Sequence, residues 1–355
     1  MVGHMRGKLR PSVSCVDLFC GAGGLTHGFM LEGLPVVAGI DLDSACRYPY
    51  EQNNGATFLK RDVADLTGEE VASMFLPGTL RVLAGCAPCQ PFSTYSQRYD
   101  QQRDEKWGLL YEFGRLTEEL LPDVVTMENV PAVERHCVYR DFTAKLGELG
   151  YSICTDIVEC ADYGVPQARR RMVLLASRHG SVAMIQPTHV RHRTVRNAIG
   201  RMSAIESGGR STRDRLHTAS RLSPTNLARI QVSEPGGSWR DWPTRLIADC
   251  HKASTGRTYP SVYGRMEWDK PAPTITTQCF GFGNGRFGHP EQNRAISLRE
   301  AAILQSFPRT YKFVQPGDPV QFSVIGRLIG NAVPVALGRA IARSILEHLS
   351  PAGMC

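Results

Sequence analysis

The sequence has no uninterrupted apolar run of the roughly 18–20 residues that a membrane-spanning helix needs. It also has no apolar segment directly behind its basic N terminus, where Arg6, Lys8 and Arg10 stand, so the pattern of a secretory signal is missing. No internal repeat and no low-complexity tract occurs in the 355 residues. We therefore expect a globular, cytoplasmic protein without a membrane partner.

The cysteine pattern does not suit a disulfide scaffold or a zinc protein. The eleven cysteines are odd in number and the chain is long, so we expect most of them to be reduced. One Cys-x-x-Cys pair is present, Cys86 to Cys89, whereas a zinc site usually needs a second pair at suitable spacing. The sequence therefore predicts no metal.

Positive charge is concentrated in one internal segment. Residues 189–270 contain 15 Lys and Arg against 7 Asp and Glu, whereas the rest of the chain contains 26 basic and 27 acidic residues. Such a segment is a natural partner for a polyanion such as nucleic acid. A solvated basic surface is the alternative that charge alone leaves open.

Short apolar runs alternate with amphipathic stretches in the first half of the chain. This alternation predicts an α/β fold with a doubly wound, mostly parallel sheet. Helices are expected at 25–31 and 109–121, and strands at 13–19, 36–41, 57–63, 81–85, 123–128, 151–160 and 171–177.

After Gln186 and Pro187 the amino-acid composition changes, and residues 189–270 show little periodicity in their apolar positions. We predict a catalytic and cofactor-binding domain over 1–188 and a second, smaller, irregular domain over 189–270. A hinge and return segment would follow over 271–325, and a C-terminal helix within 326–355 would complete the first domain. Ser297 with Glu300 three residues later predicts a capped helix at 298–304.

Ligands of doubly wound sheets bind beyond the carboxyl ends of the strands. The first predicted strand runs into a glycine turn around Gly21 and Gly23, and Asp41 follows Gly21 by 20 residues, where a carboxylate can accept from ribose hydroxyls. The full G-x-G-x-x-G pattern fails because position 26 is Thr, which counts against NAD. The turn suits S-adenosylmethionine, which has no phosphate, although a purely structural tight turn stays open.

The segment Cys86-Ala-Pro-Cys89 follows the fourth predicted strand and admits three interpretations. They are half of a zinc site, a redox pair, and a single nucleophilic cysteine on a loop shaped by Pro88 and Pro91. The third needs an electropositive surrounding, because the thiolate is the nucleophile.

These residues resemble the cytosine-5 DNA methyltransferase family. Six blocks occur in the family's order and span nearly the whole chain, with a long variable segment between the fourth and fifth. They are 17–25 (DLFCGAGGL), 85–93 (GCAPCQPFS), 128–130 (ENV), 167–171 (QARRR), 271–277 (PAPTITT) and 330–334 (GNAVP).

The resemblance implies an S-adenosylmethionine-dependent methyltransferase fold in which residues 189–270 form the target-recognition domain. Asp41 would hold the ribose, Asp62 the adenine amino group, and Leu42 and Val63 the adenine faces. The cofactor pocket, which also releases the product S-adenosylhomocysteine, would be lined by Phe19, Gly21, Gly23, Asp41, Leu42, Asp62, Val63, Pro88, Leu110 and Asn331.

The resemblance also implies the reaction. Cys89 would add to carbon 6 of a flipped-out cytosine, Glu128 would donate or share a proton at ring nitrogen 3, and carbon 5 would then take the methyl group. Arg171 would hold the oxygen at carbon 2, and Arg169 would position the nucleotide or its phosphate. All four are predicted as catalytic residues.

Double-stranded DNA is the implied partner, contacted by Gln90 and Ser93 of the nucleophile loop and by arginines of the basic segment. Trp239 and Trp242 are expected in the core of the small domain. We expect a monomeric, nucleoid-associated bacterial enzyme, either solitary or paired functionally but not physically with a restriction endonuclease. A tRNA-modifying relative, a non-catalytic DNA-binding regulator and a metal or redox protein are the rivals. The predicted DNA-contacting arginines are Arg240, Arg245, Arg257 and Arg265, with Arg210, Arg213 and Arg215 as further candidates.

Overall fold

The computed structural model describes residues 12–88, 108–252 and 260–350. The strands in this part of the chain are β1 Val13–Leu18, β2 Val36–Asp41, β3 Thr57–Lys60, β4 Leu80–Gly85, β5 Val124–Asn129, β6 Ser152–Glu159 and β7 Arg170–Ser177. They form one seven-stranded sheet in the order β3-β2-β1-β4-β5-β7-β6. Neighbouring strands from β3 to β5 are parallel, and β7 runs antiparallel to β5. The predicted doubly wound, mostly parallel sheet is therefore confirmed.

Burial along the strands explains why they take these places. All six residues of β1 and all six of β5 are buried, as expected for parallel strands covered on both faces. β6 stands at one edge of the sheet, and most of its residues are exposed or half-buried. The observed strand bounds agree with the predicted ones within one residue, with one exception. β3 ends at Lys60 instead of residue 63, because residue 63 already belongs to a 3-10 turn, Val63–Asp65.

Helices join the strands, and those at 24–31 and 108–120 match the predicted ones within one residue. The helices at 47–54, 68–72 and 137–148 were not predicted from the sequence. The helices are α1 Gly24–Leu31, α2 Arg47–Asn54, α3 Gly68–Ala72, α4 Gly108–Leu120, α5 Cys137–Glu148, α6 Val195–Ile199, α7 Pro224–Gln231, α8 Asp249–Lys252, α9 Leu298–Leu304, α10 Phe322–Asn331 and α11 Val335–His348.

The chain divides into two compact units. The first comprises residues 1–158, 170–186 and 337–355, and the second comprises 159–169 and 187–336. The first unit has its core between the sheet and helices α4 and α5, where Phe113 and Phe142 have ring centroids 5.3 Å apart. The predicted recognition and hinge segments both fall, by sequence, within the second unit.

The second unit has an aromatic core of its own. Trp239 and Trp242 are each 5% exposed and pack with Ile230 and Phe282, so their prediction as core residues is confirmed. Trp242 also donates its indole N–H to the Ser233 hydroxyl over 2.9 Å. The irregular chain of this unit is therefore organised around large buried rings.

A buried ion pair fixes the start of α9. Ser297 and Glu300 form the predicted capping box, and Arg294, which is fully buried, donates to both carboxylate oxygens of Glu300 over 2.7 Å. Burial raises the pKa of Glu300, but the hydrogen bonds and charge of Arg294 outweigh burial and leave that pKa lowered.

Among the described residues one stretch, Phe322–His348, is long and apolar enough to cross a membrane, with a mean hydropathy of 1.3 in its most apolar window. It consists of α10 and α11, which are separated at residues 332–334, and 72% of that window is buried. A buried core helix meets the same criterion, so the finding carries little weight by itself.

Candidate active site

The carboxyl ends of β3, β2, β1, β4 and β5 meet at one edge of the sheet, since these five strands are parallel and adjacent. The sequence-predicted residues of the first unit that lie at the ends of those strands or directly after them belong to this edge. They are Phe19, Gly21, Gly23, Asp41, Leu42, Asp62, Pro88 and Glu128. Cys89, Gln90 and Ser93 lie outside the described residues, as does Arg257.

The glycine turn between β1 and α1 depends on left-handed backbone. Phe19, Gly21 and Gly23 all have positive φ, at 57°, 54° and 84°. Nothing lies within 4 Å of where a Cβ on Gly21 would stand, so this side of the turn is open. The Gly21 N–H donates to an oxygen of Asp41 over 2.9 Å and ties the turn to the end of β2.

Thr26 fills the position where a dinucleotide-binding motif has its third glycine. Its buried hydroxyl donates to Asp17 over 2.6 Å and lies 3.1 Å from the hydroxyl of Tyr50. The other oxygen of Asp17 is buried with no hydrogen bond among the described residues. Burial raises the pKa of Asp17 to about 7, while the bond from Thr26 acts in the opposite direction. This buried acid was not among the residues predicted from the sequence to bind the cofactor.

Several acidic residues lie at this edge of the sheet. Asp17 and Asp41 interact electrostatically, and Asp62 follows the next strand. A carboxylate at this position can accept from ribose hydroxyls, and negative charge at this edge favours a ligand that carries a sulfonium and an ammonium group. The residues present therefore fit S-adenosylmethionine.

Four predicted cofactor residues differ from one another in burial and in position. Val63 and Leu110 are 2% and 1% exposed and belong to the core of the first unit, so their side chains offer a ligand almost no surface. Leu42 is 62% exposed. Asn331 is the last residue of α10 in the second unit, so its relation to the sheet edge stays a prediction.

Glu128, near the end of β5, is the predicted acid and is 3% exposed. Nε of Arg171, on β7, lies 2.9 Å from Oε1 of Glu128. The contact has the distance of an ion pair, but its N–H is not aligned as a hydrogen bond, so Oε1 has no aligned donor among the described residues. Oε2 accepts from the thiol of Cys86 over 3.1 Å. The next residue, Asn129, donates to the Ala87 carbonyl over 3.1 Å and fixes the chain that leads to Cys89.

The structure gives Arg169 a structural place instead of the predicted contact with a nucleotide. Its side chain is 3% exposed and donates to the carbonyls of Ile275 (3.0 Å) and Gly330 (3.3 Å). A Cβ on Gly330 would stand 2.3 Å from the carbonyl carbon of Thr276. Arg169 therefore links the segments around 275 and 330, and we reassign it from catalysis to architecture.

Arg265 needs the same correction. Its guanidinium is 5% exposed, and all three nitrogens donate within the second unit, which leaves no N–H for a DNA phosphate or base. By contrast, Arg240 and Arg245 are exposed and remain candidates for DNA contact. The acceptors of Arg265 are the carbonyls of Ile230, Ser233, His289 and Gln292 and the side-chain oxygen of Asn293.

We expect Arg265→Ala to lower the free energy of unfolding by about 3 kcal/mol or more, because several buried carbonyls lose their donor at once. Urea denaturation of the purified variant measures the change. Arg245→Ala is the matched control and should stay within about 0.5 kcal/mol of the parent protein, since its side chain is exposed. Equal stability of the two variants would contradict the reassignment.

Comparison with known proteins gives a consistent result. The model of the C-5 cytosine-specific DNA methylase family matches residues 13–347. The Type II methylase M.HgiDII of Herpetosiphon aurantiacus is 53% identical over 339 residues, which cover 94% of this chain and 95% of that protein. The Type II methyltransferase M1.BsuMI of Bacillus subtilis (strain 168) is 30% identical over 367 residues, which cover 95% and 83%.

A solved structure described as a DNA modification methyltransferase of an E. coli prophage has a TM-score of 0.73 at 20% identity. It covers 95% of this chain and 99% of its own, and at that identity the likeness is one of fold. The seven-stranded sheet, this structural likeness and the family match place the chain in the class of S-adenosylmethionine-dependent methyltransferases with a Rossmann-like fold. The chain belongs to the C-5 cytosine-specific DNA methylase family and is a DNA (cytosine-5-)-methyltransferase, which methylates cytosine in DNA with S-adenosylmethionine.

Proposed function

We propose that this enzyme methylates carbon 5 of a cytosine flipped out of a specific duplex sequence, through a covalent bond between Cys89 and carbon 6. The observation that carries the proposal is the buried Glu128, held between Arg171 and Cys86 at the end of the strand next to the one that leads to Cys89. Family membership and the Gly85–Ser93 segment support it.

A nucleophile is needed because carbon 5 of an aromatic, electron-poor ring does not attack an electrophile readily. When the Cys89 sulfur bonds to carbon 6, the electrons of the carbon 5–carbon 6 double bond become available at carbon 5. Bound S-adenosylmethionine supplies an electrophilic methyl group on its sulfonium. After transfer, loss of the proton on carbon 5 expels the sulfur of Cys89 and restores the ring.

Glu128 would stabilise the ring during the attack. Addition at carbon 6 raises the electron density on ring nitrogen 3, where a carboxylic acid can donate or share a proton. Oε1 of Glu128 is buried and has no aligned donor from the described residues, which suits it to this partner. Arg171, whose side chain is 12% exposed, would hold the oxygen at carbon 2 next to nitrogen 3.

For the cofactor, we propose that Asp41 holds the ribose and Asp62 the adenine amino group. The two oxygens of Asp41 accept the backbone N–H groups of Gly21 and of Asp43, which fixes the carboxylate at the end of β2 beside the glycine turn. Phe19, Gly21, Gly23, Leu42 and Pro88 would line the pocket. Val63 and Leu110 would contribute mainly as buried support.

A base inside a duplex cannot reach these groups, so the target cytosine must leave the stack at a cost of a few kcal/mol. Arg240 and Arg245, with Arg257 outside the described residues, would supply cationic contacts to the DNA backbone or to base edges. The names of the relatives support the further proposal that the enzyme serves a restriction–modification system.

A fluorinated substrate tests the covalent step. Duplex DNA of random sequence with 5-fluorocytosine should attach irreversibly to the enzyme in the presence of S-adenosylmethionine, because fluorine at carbon 5 cannot leave as the proton does. Mass spectrometry of the denatured protein should locate the adduct on Cys89. Fluorinated tRNA is the comparison for an RNA substrate. Methylation of ordinary DNA without any adduct on fluorinated DNA would contradict the covalent mechanism.

A further inference from the structure

The reaction outlined above assigns no task to Cys86, although its thiol is hydrogen-bonded to the proposed acid. The Sγ of this half-buried cysteine donates to Oε2 of the buried Glu128 over 3.1 Å. The contact is between side chains 42 positions apart in the sequence. It is therefore a product of the fold and not of local chain geometry.

The sheet itself sets this contact. β4 and β5 are adjacent and parallel, with Gly85 opposite Met127, so the residues that follow, Cys86 and Glu128, are neighbours in the register. The Cys86 N–H donates to the Leu18 carbonyl over 3.3 Å, which holds its backbone against β1. The thiol therefore reaches Glu128 from a fixed position.

The two oxygens of Glu128 have different surroundings. Oε2 is occupied by the thiol donor, whereas Oε1 faces Arg171 without an aligned hydrogen bond. Because Oε2 already accepts the thiol hydrogen, Oε1 is the oxygen through which the carboxyl group can share a proton with a ligand. In cytosine the oxygen at carbon 2 and ring nitrogen 3 are neighbours, so a base held at Arg171 would have nitrogen 3 near Oε1.

We propose that Cys86 is a positioning residue for methyl transfer, which rests on the proposed role of Glu128. Its thiol fixes the carboxyl group through Oε2, so that Oε1 is the atom that carries or shares the proton with the target base. Cys86 itself touches neither the base nor the cofactor in this role.

Single-turnover kinetics with saturating DNA and S-adenosylmethionine test the proposal. Cys86→Ala should lower the methyl-transfer rate about three- to tenfold, the equivalent of one lost hydrogen bond, while the dissociation constants of DNA and cofactor stay unchanged. Cys86→Ser should recover most of the rate, because its hydroxyl is again a donor. Cys86→Val, which fills the volume without a donor, should be as slow as Cys86→Ala.

Cys154→Ala is the matched control. Cys154 is also half-buried and donates to a carboxylate, Asp156, over 3.5 Å, but it stands on the edge strand β6. Its rate should equal that of the parent enzyme.

Parental rates for both Cys86→Ala and Cys86→Val would overturn the proposal, and so would a Cys86→Ser enzyme as slow as Cys86→Ala. Should Cys86→Ala prove unstable, the comparison of Cys86→Val with Cys86→Ser decides alone. Adduct formation by the parent enzyme on fluorinated DNA shows separately whether the underlying mechanism holds.

Discussion

Cys89→Ala should lower the rate of methyl transfer by at least about 10³-fold, because the alanine variant has no atom that can bond to carbon 6 and carbon 5 then stays unreactive. The binding of S-adenosylmethionine should persist, since the acids proposed to hold it belong to other strands: Asp41 ends β2 and Asp62 follows β3. Transfer of a labelled methyl group to DNA, together with calorimetry of cofactor binding, measures both effects.

Cys154→Ala again serves as the control and should retain full activity, which separates loss of the nucleophile from general loss of a thiol. A Cys89→Ala enzyme with more than a tenth of the parental rate would refute the nucleophile assignment. Loss of cofactor binding in the same variant would point instead to a structural role for this residue.

Glu128→Gln should reduce the methyl-transfer rate about 10²–10⁴-fold, the usual contribution of a positioned general acid. Glutamine has nearly the same shape, but it cannot carry an acidic proton to ring nitrogen 3. Single-turnover rates over a range of pH measure the loss, and calorimetry should show that cofactor affinity is retained.

Glu118→Gln is the control for this substitution, because Glu118 forms an exposed ion pair with Lys145 and should be dispensable for the reaction. The proposal for Glu128 fails if Glu128→Gln and Glu118→Gln transfer methyl groups at similar rates. A lowered melting temperature with an unchanged rate would show that the carboxylate serves only the fold around Arg171.

The fold was predictable from the sequence because its signals are local. β1 and β5 each contain several apolar residues within six positions, and the capping box of α9 needs only Ser297 and Glu300 three positions apart. The missed helix α5, Cys137–Glu148, shows the limit, since it has a weaker apolar pattern than α4.

The roles of individual arginines were not predictable in the same way. Arg265 and Arg245 stand in the same basic segment, yet the first is buried among carbonyls and the second is exposed. The basic composition of the segment is the same evidence for both. Whether a guanidinium group is hydrogen-bonded inside the protein depends on acceptors such as the backbone carbonyl of His289, which is more than 20 positions from Arg265 in the sequence.

The sequence by itself determined the class of fold, the order of the six blocks and the residue types available for chemistry, because periodicity, spacing and side-chain chemistry are properties of the linear chain. Only the tertiary structure decided that Cys86 donates to Glu128, that Arg169 and Arg265 are occupied internally, and that Asp17 is a buried acid at the glycine turn. The physical reason is that strand register and burial bring together atoms from distant parts of the chain. The resulting contacts determine which polar groups are already hydrogen-bonded within the protein and which can bind a ligand.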